Sequence, residues 1–219
     1  MFYSPLRYPG GKNRLSQSIA EVCSVNAIKG HFIEPFSGGA SVALHLLIEG
    51  KVEQITLNDY DRSVYAFWYS VLNHTEALCA RIEEVDLTMA VWREQKLIQK
   101  RKASADLLSL GFSTFFLNRT NRSGILTGGV IGGIEQKGNY KIGCRFNKVA
   151  LIERIQRIAR LKHRIQLYHL DALSLIETIN KESSNANTLV YFDPPYYAKG
   201  STLYMNYFDD GQHLALAQA

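Results

Sequence analysis

The sequence of 219 residues predicts an α/β fold in which a parallel sheet is interrupted by a mainly helical, basic insertion. Two observations predict the sheet. Short apolar runs alternate with helical stretches over residues 30–61, and the same alternation recurs over residues 165–192. A third observation predicts the insertion: the residues between these stretches follow helical periodicity and carry most of the basic side chains. We therefore expect a core of residues 1–62 and 163–219 and an insertion of residues 63–162.

The first stretch has the order strand, glycine turn, helix, strand. Apolar residues predict strands over 31–33 and 54–57, and the pattern between them predicts a helix over 40–49. The turn before the helix is Ser37-Gly38-Gly39, and the second strand ends in Asn58-Asp59. Parallel strands place their carboxyl ends at one edge of a sheet, so we expect the polar residues at these ends to share a site.

The second stretch repeats this alternation. It predicts a strand over 165–169, a helix over 172–180 and a strand rich in β-branched and aromatic residues over 188–192. These segments bring the predicted sheet to about four strands. The fourth strand would form an edge, which proteins normally cover.

The insertion has several parts. Residues 63–105 follow helical periodicity, 105–117 are apolar, and 118–147 are rich in Gly and Asn, which predicts loops and a hairpin near two Gly-Gly pairs. Residues 148–162 predict an amphipathic helix with apolar side chains on one face and arginines on another.

Basic side chains are concentrated in the insertion. Residues 93–164 contain 16 of the 25 Lys and Arg but only four of the 20 Asp and Glu, so their formal charge is +12, whereas the rest of the chain carries −7. A solvated helix face is the common explanation of a charge run, but this asymmetry favours an anionic partner such as nucleic acid.

The composition disfavours several other classes of protein. Cys23, Cys79 and Cys144 lie far apart, which is not typical of a disulfide framework or a zinc site, and we expect no metal. No run approaches the roughly 18 apolar residues of a membrane span, and the first residues lack the apolar core of a signal peptide. We expect a cytoplasmic protein without a membrane partner.

The most informative segment is an apolar strand that ends in Asp193-Pro194-Pro195-Tyr196. It would deliver a carboxylate, a backbone carbonyl and an aromatic ring to the sheet edge where α/β folds bind ligands. The Asp193 carboxylate and the Pro194 carbonyl can accept both hydrogens of an amino group, while Tyr196 stacks on the ring that carries it. In isolation, the same four residues would indicate only a surface turn.

Three further segments favour a nucleotide-like ligand. The glycine turn lets a ligand approach the backbone at a helix start. Asp59 follows the turn by about 20 residues, where an acid can hold ribose hydroxyls, and Asp61 is the competing candidate. Near the amino terminus, residues 7–12 offer a ring, a flexible turn and a cation, although an ordinary loop would look similar. The fingerprint G-x-G-x-x-G is absent from the turn, which disfavours a dehydrogenase.

Together these segments resemble the Dam-like family of adenine-specific DNA methyltransferases over nearly the whole chain. The family's cofactor, glycine, acidic and catalytic motifs resemble, in order, Tyr8-Pro9-Gly10-Gly11-Lys12, Glu34-Pro35-Phe36-Ser37-Gly38, Asn58-Asp59 and Asp193-Pro194-Pro195-Tyr196. The resemblance implies a Rossmann-like methyltransferase sheet with a DNA-recognition insertion, S-adenosylmethionine as cofactor and double-stranded DNA as partner. It implies cofactor contacts by Tyr8, Lys12, Glu34, Phe36, Ser37, Gly38, Asp59, Asp171 and Asp193.

The resemblance also implies a mechanism. The amino nitrogen of adenine is a poor nucleophile because its lone pair is delocalised into the ring, and accepting its hydrogens at Asp193 and Pro194 would make it more nucleophilic. The adenine must leave the duplex to reach such a pocket and would stack on Tyr196. Methylation of a cytosine ring carbon would instead need a thiolate, and none of the three cysteines sits at a strand end near this site.

Two parts of the insertion resemble DNA-contacting segments of the family. They cover residues 115–124 and 140–148 and supply six candidates for phosphate or base contacts, namely Asn118, Arg119, Arg122, Lys141, Arg145 and Lys148. Asn118 could instead fix the backbone of the loop. Residues 123–129 replace the family's sequence pattern, so the motif does not predict which DNA site is recognised.

Family members continue well past the catalytic motif, whereas this sequence stops about 23 residues after Tyr196. We therefore expect a truncated product or a short form whose sheet another chain completes, and otherwise a monomer. The leading function is site-specific DNA adenine methylation. The alternatives are an impaired DNA-binding remnant of the family, or methylation of a cytosine amino group or of adenine in RNA; Asp before Pro-Pro-Tyr favours adenine by family likeness.

Overall fold

The computed structural model describes residues 3–7, 15–182, 187–194 and Gly211. In chain order the elements are α1 (Ser16–Val25), β1 (His31–Glu34), α2 (Ser41–Ile48), β2 (Gln54–Asn58), α3 (Arg62–Asn73), α4 (Thr75–Glu84), α5 (Met89–Lys100), α6 (Leu107–Thr120), α7 (Lys148–Ala159), β3 (Ile165–Tyr168), α8 (Ala172–Glu182) and β4 (Thr188–Val190). The predicted site residues Tyr8, Lys12 and Tyr196 lie outside the described residues.

The described chain forms two compact units. The sheet unit comprises residues 15–61, 163–182, 187–194 and Gly211, and the helical unit comprises residues 3–7 and 62–162. Residues 3–7 thus fold with the helical unit, whereas the sequence placed the whole amino-terminal stretch with the core.

The sheet unit is built on four parallel strands in the order β3-β2-β1-β4. Ile33 in the middle of β1 pairs with Thr56 of β2 on one side and with Val190 of β4 on the other. The α/β fold class predicted from the sequence is confirmed. The last strand ends at Val190, two residues earlier than predicted, although the Tyr191 N–H still donates to the Ile33 carbonyl at 2.8 Å.

Helices cover the apolar strands of this unit. Phe32, Ile33, Ile55 and Leu57 are all fully buried, as is typical of parallel strands that are covered on both faces. On α8, the buried Leu175 belongs to the same apolar cluster as Ile33. This packing fixes the strand ends from which the polar residues of the predicted site project.

The helical unit surrounds α6. Every residue from Leu110 to Thr120 is buried, so this helix has no polar face, and its apolar pattern predicted no particular element. Asp106 caps the amino end of the helix, since its carboxylate accepts the Ser109 N–H at 2.9 Å. Its buried position reflects packing against α3 and α5.

Residues 121–147 are mostly irregular, as the glycine and asparagine content predicted. Two short 3₁₀ turns cover Arg122–Gly124 and Ile142–Arg145. The expected hairpin is reduced to a single antiparallel bridge between Asn121 and Val130. Among the described residues, no helix is long and apolar enough to cross a membrane.

Candidate active site

Acidic residues lie at or just after the carboxyl ends of the four described strands, at one edge of the sheet. Glu34 is the last residue of β1, Asp59 follows β2, Asp171 follows β3 and Asp193 follows β4. Because β1 lies between β2 and β4, Glu34 has the ends of both neighbouring strands beside it. This is the edge at which open α/β sheets bind ligands.

The chain makes a strained turn between β1 and α2. Gly38 has a φ of +44° and Ala40, directly before α2, has a φ of +48°. The Ser37 N–H donates to the Asn58 carbonyl at 2.8 Å, which ties the turn to the end of β2. A left-handed conformation costs a residue with a Cβ roughly 1 kcal/mol, and such strain is typical of ligand-binding sites.

Asp59 fixes the glycine turn directly. One of its carboxylate oxygens accepts the Gly38 N–H at 2.9 Å, and the other accepts the Asp61 N–H at 2.9 Å. These two bonds orient the carboxylate beside the turn. The geometry therefore favours Asp59 over Asp61 as the acidic residue that acts together with the turn.

Asn58 has a structural role beside Asp59. Its side chain is buried and its amide nitrogen donates to the carbonyls of Pro35 and Leu170, both at 2.9 Å, while its side-chain oxygen Oδ1 accepts the Leu170 N–H at 2.9 Å. It thereby joins the segments that follow β1, β2 and β3. This network holds the strand ends in one register.

Two buried polar atoms at the turn lack a partner among the described residues. They are Oε2 of Glu34 and Oγ of Ser37. Burial raises the pKa of Glu34 to about 8, the Ala43 backbone N–H opposes this shift, and the charge of Asp193 adds to it. Buried polar groups are normally satisfied, so the two atoms indicate a place for a polar ligand.

Asp193 and Pro194 lie just beyond β4 and are both half-buried. The preceding Tyr191 stacks on Phe32 of β1, with ring centroids 6.0 Å apart, which holds the chain against the centre of the sheet. Asp193 is near enough to Glu34 to affect its pKa. The half-buried positions leave both groups partly accessible at the sheet edge.

Asp171 serves as the cap of α8. Its carboxylate accepts the Ser174 N–H at 3.0 Å and the Ser174 hydroxyl at 2.5 Å, and these hydrogen bonds hold its pKa below the ordinary value. The side chain is exposed. A cofactor contact by Asp171 remains a prediction.

The six candidates for DNA contact belong to the helical unit, but their surroundings differ. Arg122, Lys141 and Arg145 are exposed, although the Lys141 ammonium also donates to a carbonyl five residues earlier at 2.6 Å. Lys148 is half-buried, and its ammonium donates to two carbonyls at the carboxyl end of α4, both at 2.7 Å. Of the three arginines in this set, Arg122 and Arg145 are therefore the ones that are exposed to solvent.

Asn118 and Arg119 are buried at the end of α6. Asn118 accepts the Arg7 N–H at 2.7 Å and donates to the carbonyls of Arg7 and Gly124 at 2.6 and 3.0 Å. Arg119 donates from Nε to the Pro5 carbonyl at 2.7 Å. Burial and two neighbouring guanidiniums lower the pKa of Arg119 to about 9, so it remains charged at neutral pH.

Comparison with known proteins identifies the family. A sequence profile of the D12 class N6 adenine-specific DNA methyltransferases matches residues 8–218. The chain belongs to this family. It is therefore a DNA adenine methyltransferase, and the resemblance seen in its motifs is confirmed. The methyltransferase is also similar to the type II methyltransferase M.MjaIII of Methanocaldococcus jannaschii. The two sequences are 22% identical over an alignment of 234 positions, which covers 97% of this chain and 77% of that protein.

A DNA methyltransferase needs a methyl donor and a DNA substrate. The glycine turn of this methyltransferase fits a polar donor, because unpartnered buried atoms of Glu34 and Ser37 lie there and Gly38 brings the backbone close to the same edge. Within the described ranges, no group of three or more His, Cys, Asp or Glu side chains could hold a metal ion.

The sequence did not single out two residues that organise the helical unit of the methyltransferase. Asn121 is fully buried, accepts the Trp92 indole N–H at 2.7 Å and donates to two carbonyls in the following turn at 2.9 and 3.0 Å. Arg7 bonds to Asn118 through its backbone. Asn beside a glycine-rich loop is the signal that could have identified Asn121, since Asn side chains commonly fix loop backbones.

Proposed function

We propose that this methyltransferase transfers a methyl group from S-adenosylmethionine to the exocyclic amino group of adenine in double-stranded DNA. The observation that carries the proposal is the arrangement at the sheet edge. Asp59, whose bond to Gly38 fixes the turn after β1, follows β2, and Asp193 follows β4, so the two carboxylates belong to the strands on either side of β1.

The residues around the turn would hold the cofactor. Asp59 would accept ribose hydroxyls, and the unpartnered oxygens of Glu34 and Ser37 would meet polar atoms of the bound molecule. Tyr8 and Lys12 are assigned to the cofactor by family likeness alone. When bound, S-adenosylmethionine supplies an electrophilic methyl group on its sulfonium.

Asp193 and the Pro194 carbonyl would act on the amino group that receives the methyl. Both are acceptors, and an acceptor for each N–H keeps the nitrogen lone pair directed away from the protein. Positioning and electrostatics of this kind supply most of the rate in a transfer that needs no covalent enzyme intermediate. Tyr196 is assigned to stacking on the extruded adenine by family likeness.

The exposed arginines of the helical unit would contact the DNA backbone. Arg122 and Arg145 lie in the stretch of residues 93–164, whose formal charge is +12. Phosphate contacts supply most of the affinity of such complexes and position the duplex.

The test uses the purified full-length chain, S-adenosylmethionine labelled in the methyl group, and unmethylated plasmid DNA. We expect label in DNA as N6-methyladenine, and Asp193→Ala should lower the rate by roughly a hundredfold or more because an acceptor for the amino group is lost. Glu177→Ala removes an exposed carboxylate from α8 of the same unit and should leave the rate unchanged.

Three results would contradict the proposal. They are absence of label in DNA with the wild-type chain, label recovered as methylated cytosine, and an Asp193→Ala variant as active as Glu177→Ala. Nucleoside analysis of the digested product distinguishes the first two.

A further inference from the structure

The short amino-terminal segment of residues 3–7 is held in place by side chains of the helical unit. Asn118 bonds to both backbone polar groups of Arg7, and Arg119 donates to the Pro5 carbonyl. The Arg154 guanidinium, on α7, donates to the Ser4 carbonyl at 3.3 Å. The segment has no regular secondary structure, so these side chains replace the hydrogen bonds that a helix or strand would supply.

Packing supports the same placement. The Arg157 guanidinium lies 4.9 Å from the centre of the buried Tyr3 ring. The backbone of Gly124 approaches so closely that a Cβ at this position would lie 2.3 Å from the Arg7 carbonyl oxygen. Gly124 also has a φ of +77°. A side chain at Gly124 would therefore displace the segment as well as strain the turn.

The bonds of Asn118 and Arg119 decide which residues of the motif face outward. Asn118 has two amide hydrogens and both are donated within the unit, to Arg7 and Gly124. Only 3% of Asn118 and 8% of Arg119 is exposed, whereas Arg122 on the next turn is exposed. Residues 115–124, which resemble a DNA-contacting segment, thus include two buried side chains, Asn118 and Arg119, that bond to the protein's own backbone.

The held segment continues without interruption into Tyr8-Pro9-Gly10-Gly11-Lys12, the motif that family likeness assigns to the cofactor. We propose that Asn118, Arg119 and Gly124 are positioning residues for cofactor binding, because they fix the chain directly before that motif. This inference rests on the proposed use of S-adenosylmethionine. The chain that enters the motif is thereby fixed at Arg7, and a preorganised chain costs less conformational entropy on binding.

The distinguishing measurement is cofactor affinity without DNA. A residue that only contacts DNA cannot change the affinity of the free protein for S-adenosylmethionine, whereas a positioning residue does. Isothermal titration calorimetry of the full chain with S-adenosylmethionine should show affinity weakened roughly tenfold or more by Asn118→Ala and by Gly124→Ala, since small misplacements of binding groups have large effects.

Two variants serve as matched controls. Gly133→Ala has the same φ of +77° but nothing within 4 Å of the added Cβ, so it reproduces the backbone strain of Gly124→Ala without displacing Arg7. Arg122→Ala removes the exposed arginine of the same motif. Both should keep cofactor affinity within about twofold of the wild type, and Arg122→Ala should weaken DNA binding.

Hydrogen exchange followed by mass spectrometry separates local release from unfolding. In Asn118→Ala and Gly124→Ala, peptides that contain residues 3–7 should lose protection while peptides of β1 and β2 keep it. If Gly124→Ala fails to fold, Arg119→Lys replaces it, because lysine lacks the Nε–H that bonds to Pro5.

The outcomes separate the two proposals. A wild-type chain that does not bind S-adenosylmethionine contradicts the proposed function. If the wild-type chain binds S-adenosylmethionine, two results overturn the positioning role alone. One is that Asn118→Ala and Gly124→Ala bind the cofactor as tightly as the wild type. The other is that Gly133→Ala loses as much affinity as Gly124→Ala.

Discussion

The acidic residues at the sheet edge differ because their immediate surroundings differ. Asp171 is exposed and accepts two hydrogen bonds from Ser174, which favours its ionised form. Glu34 is fully buried, and loss of hydration raises its pKa to about 8, so it is largely protonated at neutral pH. A protonated Glu34 can donate a hydrogen bond, a capacity that the ionised Asp171 lacks.

The raised pKa of Glu34 predicts how stability varies with pH. The folded chain keeps a proton that the unfolded chain releases above the ordinary value of 4.5, so stability falls as pH rises from 4.5 to about 8. The slope is at most about 1.4 kcal/mol per pH unit. Glu34→Gln is neutral throughout and should flatten this dependence, as measured by urea unfolding at several pH values.

A matched substitution isolates the effect. Glu177→Gln changes an exposed carboxyl on α8 and should leave the pH dependence of the wild type intact. If the free energies of unfolding of Glu34→Gln and the wild type stay parallel between pH 5 and about 8, Glu34 does not hold the proton.

At the scale of elements, α6 illustrates the limit of reading periodicity. Helices α3, α5 and α7 carry apolar residues on one side, and helical periodicity predicted them. Helix α6 is buried on every side from Leu110 to Thr120 and therefore has no alternation of apolar and polar residues. Its sequence alone does not show whether these residues form a helix or a strand. Only the packing of its neighbours distinguishes the two.

Close approach of α6 to α3 predicts a sensitive position at Gly111. A Cβ there would lie 2.4 Å from the Ser70 hydroxyl and 2.5 Å from the Ala66 carbonyl oxygen, which would force the two helices apart. Gly111→Ala should therefore lower the free energy of unfolding by about 1–3 kcal/mol, although alanine favours helix more than glycine does. Thermal and urea unfolding measure this change.

Gly50 provides the comparison for that substitution. A Cβ at Gly50 meets nothing within 4 Å, and only its φ of +64° opposes alanine. Gly50→Ala should cost about 1 kcal/mol. A Gly111→Ala variant as stable as the wild type would show that α3 and α6 are not closely packed at this point.

At the scale of the whole molecule, charge and fold follow the same division. The basic stretch of residues 93–164 lies almost entirely in the helical unit, whereas residues 1–2, 12–61 and 163–219 carry 7 Lys and Arg against 12 Asp and Glu, a formal charge of −5. Exposed arginines therefore present positive charge on one unit, and the acids at the strand ends belong to the other. The proposed function assigns DNA binding to the first unit and the methyl transfer to the second.

The charge separation predicts the salt dependence of DNA binding. The double variant Arg122→Ala and Arg145→Ala should weaken binding and make the plot of log affinity against log salt shallower by about 2, because each lost phosphate contact contributes roughly 0.9. The double variant Lys29→Ala and Lys51→Ala removes the same charge from exposed positions of the sheet unit. An equal change of slope in both would show that net charge, not these arginines, controls binding.

The sequence by itself determined the α/β fold class, the approximate strands and the motifs that identify the family, because hydrophobic periodicity and short motifs are local properties. Only the tertiary structure decided what individual polar side chains contact. Asn118 and Arg119 resemble DNA-contacting residues in sequence but bond to residues 3–7, more than 100 positions away. The charge state of Glu34 likewise depends on burial by distant segments, and no local pattern encodes such long-range contacts.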